Sequence, residues 1–266
     1  MFHSALLRKS LRDHMRGIIG WAIGVAGIIA IQMSVYPTVR SSAADWSTLT
    51  DTFPEVFRKI LRMSDYTSET GYLSTELLSF VIPFIFIGLG SSWGARLTSE
   101  EEELGTADIL MSLPVTRRSI VFTRFCASSL VLIVISALMA ISLAIGGRLL
   151  DLSIALRFYV ATAFVLFLLG WMSMAVAAAV GTFTGKRGVA LGASLSMALF
   201  TFVLYSLAPL VGFLNDINPA NPFQWTIGST PLSSGVSVGY SCLAVLVTAI
   251  GVTLTFVLFE RRDLPS

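Results

Sequence analysis

LLSFVIPFIFIGLGSSWGA, from Leu77 to Ala95, and FCASSLVLIVISALMAISLAIGG, from Phe125 to Gly147, contain no Asp, Glu, Lys or Arg. Between them RLTSEEEELGTADILMSLPVTRRSIVFTR, from Arg96 to Arg124, holds nine of the chain's thirty-four charged residues. Each flanking run is long enough to cross a hydrocarbon core about 30 Å thick at about 1.5 Å per helical residue. The segment between them is therefore a compact, charged, partly apolar element at a membrane surface, placed where a partner can touch it.

The whole chain follows suit. Of its 266 residues 55% are hydrophobic and 13% charged, against about 25% charged in an ordinary soluble domain. Charge-free gaps predict an all-α integral membrane protein with six spanning helices, near residues 17–36, 76–95, 122–146, 158–183, 189–213 and 240–259, in one transmembrane domain over 1–266. Such helices occupy about half the chain and leave no room for a soluble domain of about 100 residues. A soluble motor would have to be another chain.

Six spans put both termini on one side of the membrane, and positive loops stay on the cytoplasmic side. Arg8, Lys9, Arg12, Arg16, Arg96, Arg117, Arg118, Arg124, Lys186, Arg187, Arg261 and Arg262 share the side of the termini. Arg40, Arg58, Lys59, Arg62, Arg148 and Arg157 lie opposite. The bias predicts a multi-pass protein of the plasma (inner) membrane with both termini cytoplasmic. The net charge of +2 gives no reason to expect nucleic acid.

The apolar run from Gly17 to Tyr36 exceeds the roughly 7 to 15 residues of a signal-peptide core, so the first span is expected to stay. Before it, Phe2, Leu6, Leu7 and Leu11 alternate with Arg8, Lys9, Arg12 and Arg16, the pattern of an amphipathic helix lying in the inner interface. Cys126 and Cys242 fall near opposite membrane surfaces, too far apart for the roughly 6 Å Cα separation of a disulfide. On the outer side, Phe53, Val56, Phe57, Ile60 and Leu61 recur at helical spacing after Pro54, a good first helical residue. A short amphipathic surface helix is predicted there. Farther on, Asn218-Pro219, Asn221-Pro222 and Thr230-Pro231 read as turns, and Phe223 and Trp225 suit the headgroup belt.

Catalytic patterns are weak. Gly90-Ser91-Ser92-Trp93-Gly94 satisfies G-x-S-x-G, but a hydrolase elbow needs a strand, a sharp turn and a histidine in reach, and the chain's two histidines are His3 and His14. Glycines four apart in an apolar helix make a close-packing surface instead, a reading that extends to Gly20 with Gly24, Gly181 with Gly185, and Gly188 with Gly192. The spans read as uncharged inside, which disfavours a proton-coupled carrier. Gln32, Ser34, Ser196, Thr201 and Tyr205 are the polar residues left to line a translocation path. No catalytic, metal-binding or cofactor-binding residues are expected in the chain.

In the charged connector, Thr98 or Ser99 can cap a helix, with Ser99 and Glu102 spaced as a capping box and Glu100 to Glu103 in its first turn. Leu104, Ala107, Leu110 and Met111 then share one face, and Pro114 turns Leu113 away from helix. Gly105 inside such a helix costs about 1 kcal/mol against alanine, which points to close approach or a hinge.

Glu101-Glu102-Glu103-Leu104-Gly105-Thr106-Ala107-Asp108-Ile109-Leu110-Met111-Ser112-Leu113-Pro114-Val115-Thr116-Arg117 resembles the E-x-x-x-G-T-x-x-x-L-x-S-x-P-x-x-R segment between the second and third spans of type-2 ABC exporter permeases. The six-span plan and the Asn-Pro-Phe segment before the last span extend the similarity. The resemblance implies that Glu101 to Arg117 form a coupling helix docking on a separate ABC ATPase, which binds ATP and Mg and performs the hydrolysis. It also implies a second permease copy, identical or homologous, and an exported cargo. Uncharged spans lean toward an apolar or amphipathic cargo, drug-like, peptide or lipid. A channel or facilitator without an ATPase is the alternative class, and an intramembrane hydrolase a distant third.

Orientation is open to direct measurement. Single cysteines at Asp45 and Ser229, in a background lacking Cys126 and Cys242, should react with an impermeant thiol reagent in intact cells, whereas one at Lys186 should react only after permeabilisation. Labelling at Lys186 in sealed cells would invert the topology.

Overall fold

In a bilayer the backbone must satisfy its own hydrogen bonds, which helices do within one segment, and each long apolar run of this chain is helical. The computed structural model describes residues 4–43, 48, 52–54, 58, 66–103 and 116–261, and among them no strand occurs. Six helices are long and apolar enough to cross a membrane. They are built on α1 (Ser4–Ser41), α2 (Val81–Glu103), α3 (Arg117–Leu149), α4 (Leu156–Thr184), α5 (Arg187–Leu207) and α6 (Val238–Arg261). A helical turn, Glu69–Leu73, and a π turn, Ser74–Leu78, precede α2, so the second span runs over Glu69–Leu97.

The all-α, six-span plan holds, and four details differ. The basic N-terminal stretch is not a separate interfacial helix but the start of α1, which continues without a break for 38 residues, about 57 Å at 1.5 Å per residue. Nothing between Arg16 and Gly17 stops a helix already under way. The second span begins seven residues earlier than expected, at Glu69 rather than 76. No helix starts at Thr98 or Ser99, because α2 runs through them to Glu103. Extending a formed helix is cheaper than nucleating another, and this outweighs the preference of acidic residues for a first turn. Finally, α5 stops at Leu207 instead of near 213, since Pro209 has no N–H to donate and its ring clashes with the carbonyl four residues back.

Lipid tails are as apolar as leucine, so helices associate in a membrane through close packing of small residues rather than through a hydrophobic driving force. α4 is the hub: α2 packs along it most extensively, and α6, α3 and α5 also lie against it, while α1 packs on α3. A Cβ on Gly90 of α2 would stand 1.9 Å from the Gly170 carbonyl oxygen of α4, and one on Gly94 would stand 2.1 Å from that of Met174. Neither position has room for a side chain. On the other side of α4, a Cβ on Gly251 of α6 would reach within 3.0 Å of the Ala175 Cβ. Hydroxyls add to this joint. Ser194 of α5 donates to the Ser173 carbonyl of α4 at 3.1 Å, leaving its oxygen to accept from Ser91 of α2 at 2.8 Å. Trp171 Nε1 of α4 donates to Ser129 Oγ of α3 at 2.8 Å.

Gly90-Ser91-Ser92-Trp93-Gly94 is thus a stretch of continuous helix, no nucleophile elbow, and Ser91, rather than the Ser92 that would stand at the nucleophile position, bridges α2 to α5. The packing reading does not transfer to every glycine pair. Gly20, Gly24, Gly188 and Gly192 meet nothing within 4 Å, because they sit on faces of α1 and α5 turned away from the rest of the chain. Gly185 ends α4 in the left-handed conformation at φ 67°, donating its N–H to the Gly181 carbonyl at 2.8 Å, a helix terminus that glycine occupies without strain.

Substituting alanine at Gly90 or Gly94 should push α2 off α4, lowering stability by about 1–3 kcal/mol as overpacking does, whereas Gly20→Ala should be neutral or slightly stabilising. Thermal unfolding of the purified protein in detergent compares them. Equal melting of Gly90→Ala and Gly20→Ala would contradict the close approach.

Candidate functional site

The end of the bundle that carries the termini brings together the flanks of the charged connector. Arg124 of α3 donates from Nη1 to the Leu97 carbonyl of α2 at 3.1 Å. Arg118, one residue into α3, grips Glu260 at the end of α6 through both carboxylate oxygens, with Nη2 to Oε2 at 2.7 Å. Thr116 caps α3, its Oγ1 accepting the Ser119 N–H at 3.3 Å, so Arg117 belongs to the first turn of α3. Glu101, Glu102 and Glu103 form the last turn of α2. Leu104, Gly105, Thr106, Ala107, Leu110, Met111, Leu113 and Pro114 lie outside the described residues, as does the coupling helix predicted on them. The structure therefore fixes the two roots of the connector, one held by Arg124 and the other tied to α6 by Arg118.

At the opposite end a carboxylate sits inside the second span, contrary to the reading of uncharged interiors. Glu76 belongs to the π turn. Tyr66 donates its hydroxyl to Glu76 Oε1 at 2.7 Å, and Gln32 of α1 donates from Nε2 to Oε2 at 3.3 Å. Tyr72, buried and edge-on to Tyr66 with ring centroids 5.6 Å apart, donates to the Gln32 carbonyl at 2.9 Å. Burial, then the hydrogen bond to Glu76, raises the Tyr66 phenol well above the ordinary tyrosine range. The same end is tied to the α3–α4 connector, where Glu69 Oε2 accepts the Ser153 N–H at 2.6 Å. The sequence does carry a signal for this cluster: Gln32 is a polar group inside the first apolar run, and Tyr66, Tyr72 and Glu76 are polar groups just before the second. Where the span begins decides their meaning.

Between α5 and α6 the chain folds into short helical turns, three of which carry a proline in their first two positions, Asn218–Ala220, Pro222–Trp225 and Pro231–Ser234. Asn221 caps the second through the Phe223 N–H at 2.9 Å and donates to the Thr201 carbonyl of α5 at 2.8 Å. Phe223 and Trp225 are buried in the protein rather than set in a headgroup belt. Phe223 stacks among Phe84, Phe202 and Tyr205, and Trp225 Nε1 donates to the Pro219 carbonyl at 2.7 Å. The ring partners of Phe223 come from α2 and α5, which no local pattern around residue 223 reveals. Phe53 is exposed, and the Arg58 N–H bonds the Pro54 carbonyl at 3.3 Å; Val56, Phe57, Ile60 and Leu61, with the outer helix predicted on them, lie outside the described residues.

The polar residues named for a path do not converge in one chain. Gln32 is engaged with Glu76, Ser34 is exposed and bonded to the Ile31 carbonyl, Ser196 is exposed, and Thr201 bonds back to Met197. Tyr205 is buried against Phe223. Gln32 and Ser34 belong to α1 and the other three to α5.

Six spans, four of them packed on the central α4 and the first on α3, with a charged connector rooted between the second and third, define a polytopic membrane protein. A family model described as ABC-2 family transporter protein matches residues 4–264. The chain belongs to that family and is a membrane permease of an ABC transporter. Among curated proteins none matches.

Removing the Glu76 acceptors should loosen α1 from the second span. Glu76→Leu leaves the Tyr66 hydroxyl and the Gln32 amide without their partner and should cost about 1–3 kcal/mol; Glu76→Gln keeps one acceptor oxygen and should cost less. Thermal unfolding checks the order. A Glu76→Leu variant as stable as the parent would mean that the carboxylate does not brace this end.

Proposed function

We propose that this permease couples to a separate ABC ATPase through the connector spanning Glu101 to Arg117, and that ATP binding and hydrolysis in that partner drive export. The observation that supports this best is the coincidence of the E-x-x-x-G-T-x-x-x-L-x-S-x-P-x-x-R pattern with a segment whose roots are both braced. Arg124 joins one root to α2 and Arg118 joins the other to α6, so a push on the connector reaches three spans. ATP and Mg would be held by the partner chain. In this reading both termini and the connector are cytoplasmic and the membrane is the plasma membrane.

A second permease copy, identical or homologous, completes the assembly. Support comes from α1 and α5, whose glycines Gly20, Gly24, Gly188 and Gly192 present bare backbone outward. Small-residue faces of this kind suit another helix better than lipid. Ser34, Ser196 and Thr201, on the same two helices, would then border the path. Because Glu76 is already held by Tyr66 and Gln32, the spans keep an apolar character, which favours an apolar or amphipathic cargo.

Charging the apolar face of the connector tests the coupling. Leu110→Asp should lose the ATPase on co-purification, since an unpaired buried charge costs several kcal/mol. Gly105→Leu should keep the partner and part of the ATP hydrolysis while export stops. Glu100→Gln should leave both intact, because a charge in the last turn of α2 changes helix energetics by about 1 kcal/mol at most. If Leu110→Asp retained partner and export while Glu100→Gln abolished them, docking through the apolar face would be wrong.

A further inference from the structure

α3 and α4 are consecutive helices joined by the short connector 150–155, yet they do not close on each other along their length. Ala137, Ala140 and Ala144 of α3 are too small to fill the space opposite Val160, Ala163 and Phe164 of α4. A groove of about 650 Å³ remains between them. Its walls include Ile141, Ile145 and Leu156, which are more than half exposed, so the groove opens to the surroundings of the bundle. From Ile133 to Arg148 it follows α3 for about 22 Å at 1.5 Å per residue, enough to cross one leaflet's share of a 30 Å hydrocarbon core.

The lining chemistry is uneven. Along the shaft the one hydroxyl is Ser136, which is committed to the Leu132 carbonyl at 2.8 Å. A polar ligand would find no free hydrogen-bond donor there. The end nearest the connector is cationic. Arg148 closes the groove, and Arg157 stands in the first turn of α4, its guanidinium 4.7 Å above the Phe158 ring. Arg157 lines a second hollow of about 680 Å³ that shares Val160 and Phe164 with the first and is bounded by Ser233, Ser234 and Gly235. Among the described residues neither arginine is ion-paired with a carboxylate. Asp151 lies between them in sequence, and Glu69 is engaged by the Ser153 N–H.

A suitable occupant has a long apolar tail and an anion at one end, with the anion at the membrane surface. We propose that the groove holds an acyl chain of an anionic glycerophospholipid from the leaflet at the α3–α4 connector, with its phosphate held by Arg148 and Arg157. The assignment does not rest on the ATPase partner or on the orientation of the chain. Small residues on α3 make the slot, the arginines select the headgroup, and the lipid fills the space between two spans that do not fill it themselves. Surface attraction for an anionic lipid is worth about fivefold in retention per arginine.

Native mass spectrometry tests it on the purified protein in detergent micelles doped with phosphatidylglycerol or phosphatidylcholine of identical chains. The parent should retain phosphatidylglycerol at least fivefold better. Arg148→Gln/Arg157→Gln should lose the preference, and Arg148→Lys/Arg157→Lys should keep most of it; both pairs are exposed, so folding is not at risk. Ala137→Phe, at an exposed position facing the groove, should lower retention of both lipids by filling the slot. Equal retention of the two lipids by the parent, an undiminished preference in the glutamine pair, or unchanged retention in Ala137→Phe would overturn the assignment. So would a dimer of the lipid-free parent that Ala137→Phe dissolves, which would give the groove to a second copy.

Discussion

The bundle depends on backbone meeting backbone between α2 and α4. At Gly90 and Gly94 the two helices approach so closely that a methyl group on either would overlap a carbonyl oxygen of α4. In water such an approach would be one packing solution among many. In lipid it carries more of the weight, because burying leucine against leucine offers little over leaving it in acyl chains. The serine chain from Ser91 through Ser194 to the Ser173 carbonyl forms beside it, which is possible only where three helices stand this near. Contacts of α6 and α5 with α4 build outward from that joint.

The two ends of the bundle are held differently. At the end with the termini, arginines reach carbonyl and carboxylate groups across helix ends, as in Arg124 with Leu97 and Arg118 with Glu260. At the other end Tyr66 and Gln32 donate to Glu76, the Ser153 N–H to Glu69, and Asn221 to the Thr201 carbonyl, so each tie ends on a backbone or carboxylate acceptor.

The number and class of the helices were legible because charge is expensive in hydrocarbon, so its absence marks each span directly. Helix ends were less legible. The charge-free gap starts the second span near 76, whereas hydrogen bonds from Tyr66 and Gln32 to Glu76 and from the Ser153 N–H to Glu69 satisfy both carboxylates where the helical run begins earlier, at Glu69. Phe223 and Trp225 carry the amphipathic signature of interfacial aromatics, and that signature cannot distinguish a headgroup from an interior cluster formed with residues far away in sequence. The glycine pairs show the same limit. Gly90 and Gly94 pack as their spacing suggests, while Gly20 and Gly24, with the same spacing, face outward from the chain. Spacing reports a capacity for close approach and leaves the partner unspecified.

The π turn at Ser74–Leu78 sets a constraint on how this chain can change. A residue added to or removed from a helix rotates everything before it by about 100° relative to everything after it. The wide turn, with Ser79 Oγ bonded five residues back to the Ser74 carbonyl at 3.1 Å, places Glu69, Tyr72 and Glu76 toward α1 and the α3–α4 connector while Gly90 and Gly94 face α4. Point substitutions here disturb single contacts. A one-residue deletion would instead return the turn to α-helical winding and set the cap and the glycine joint against each other, so this short stretch should tolerate changes of residue type far better than changes of length.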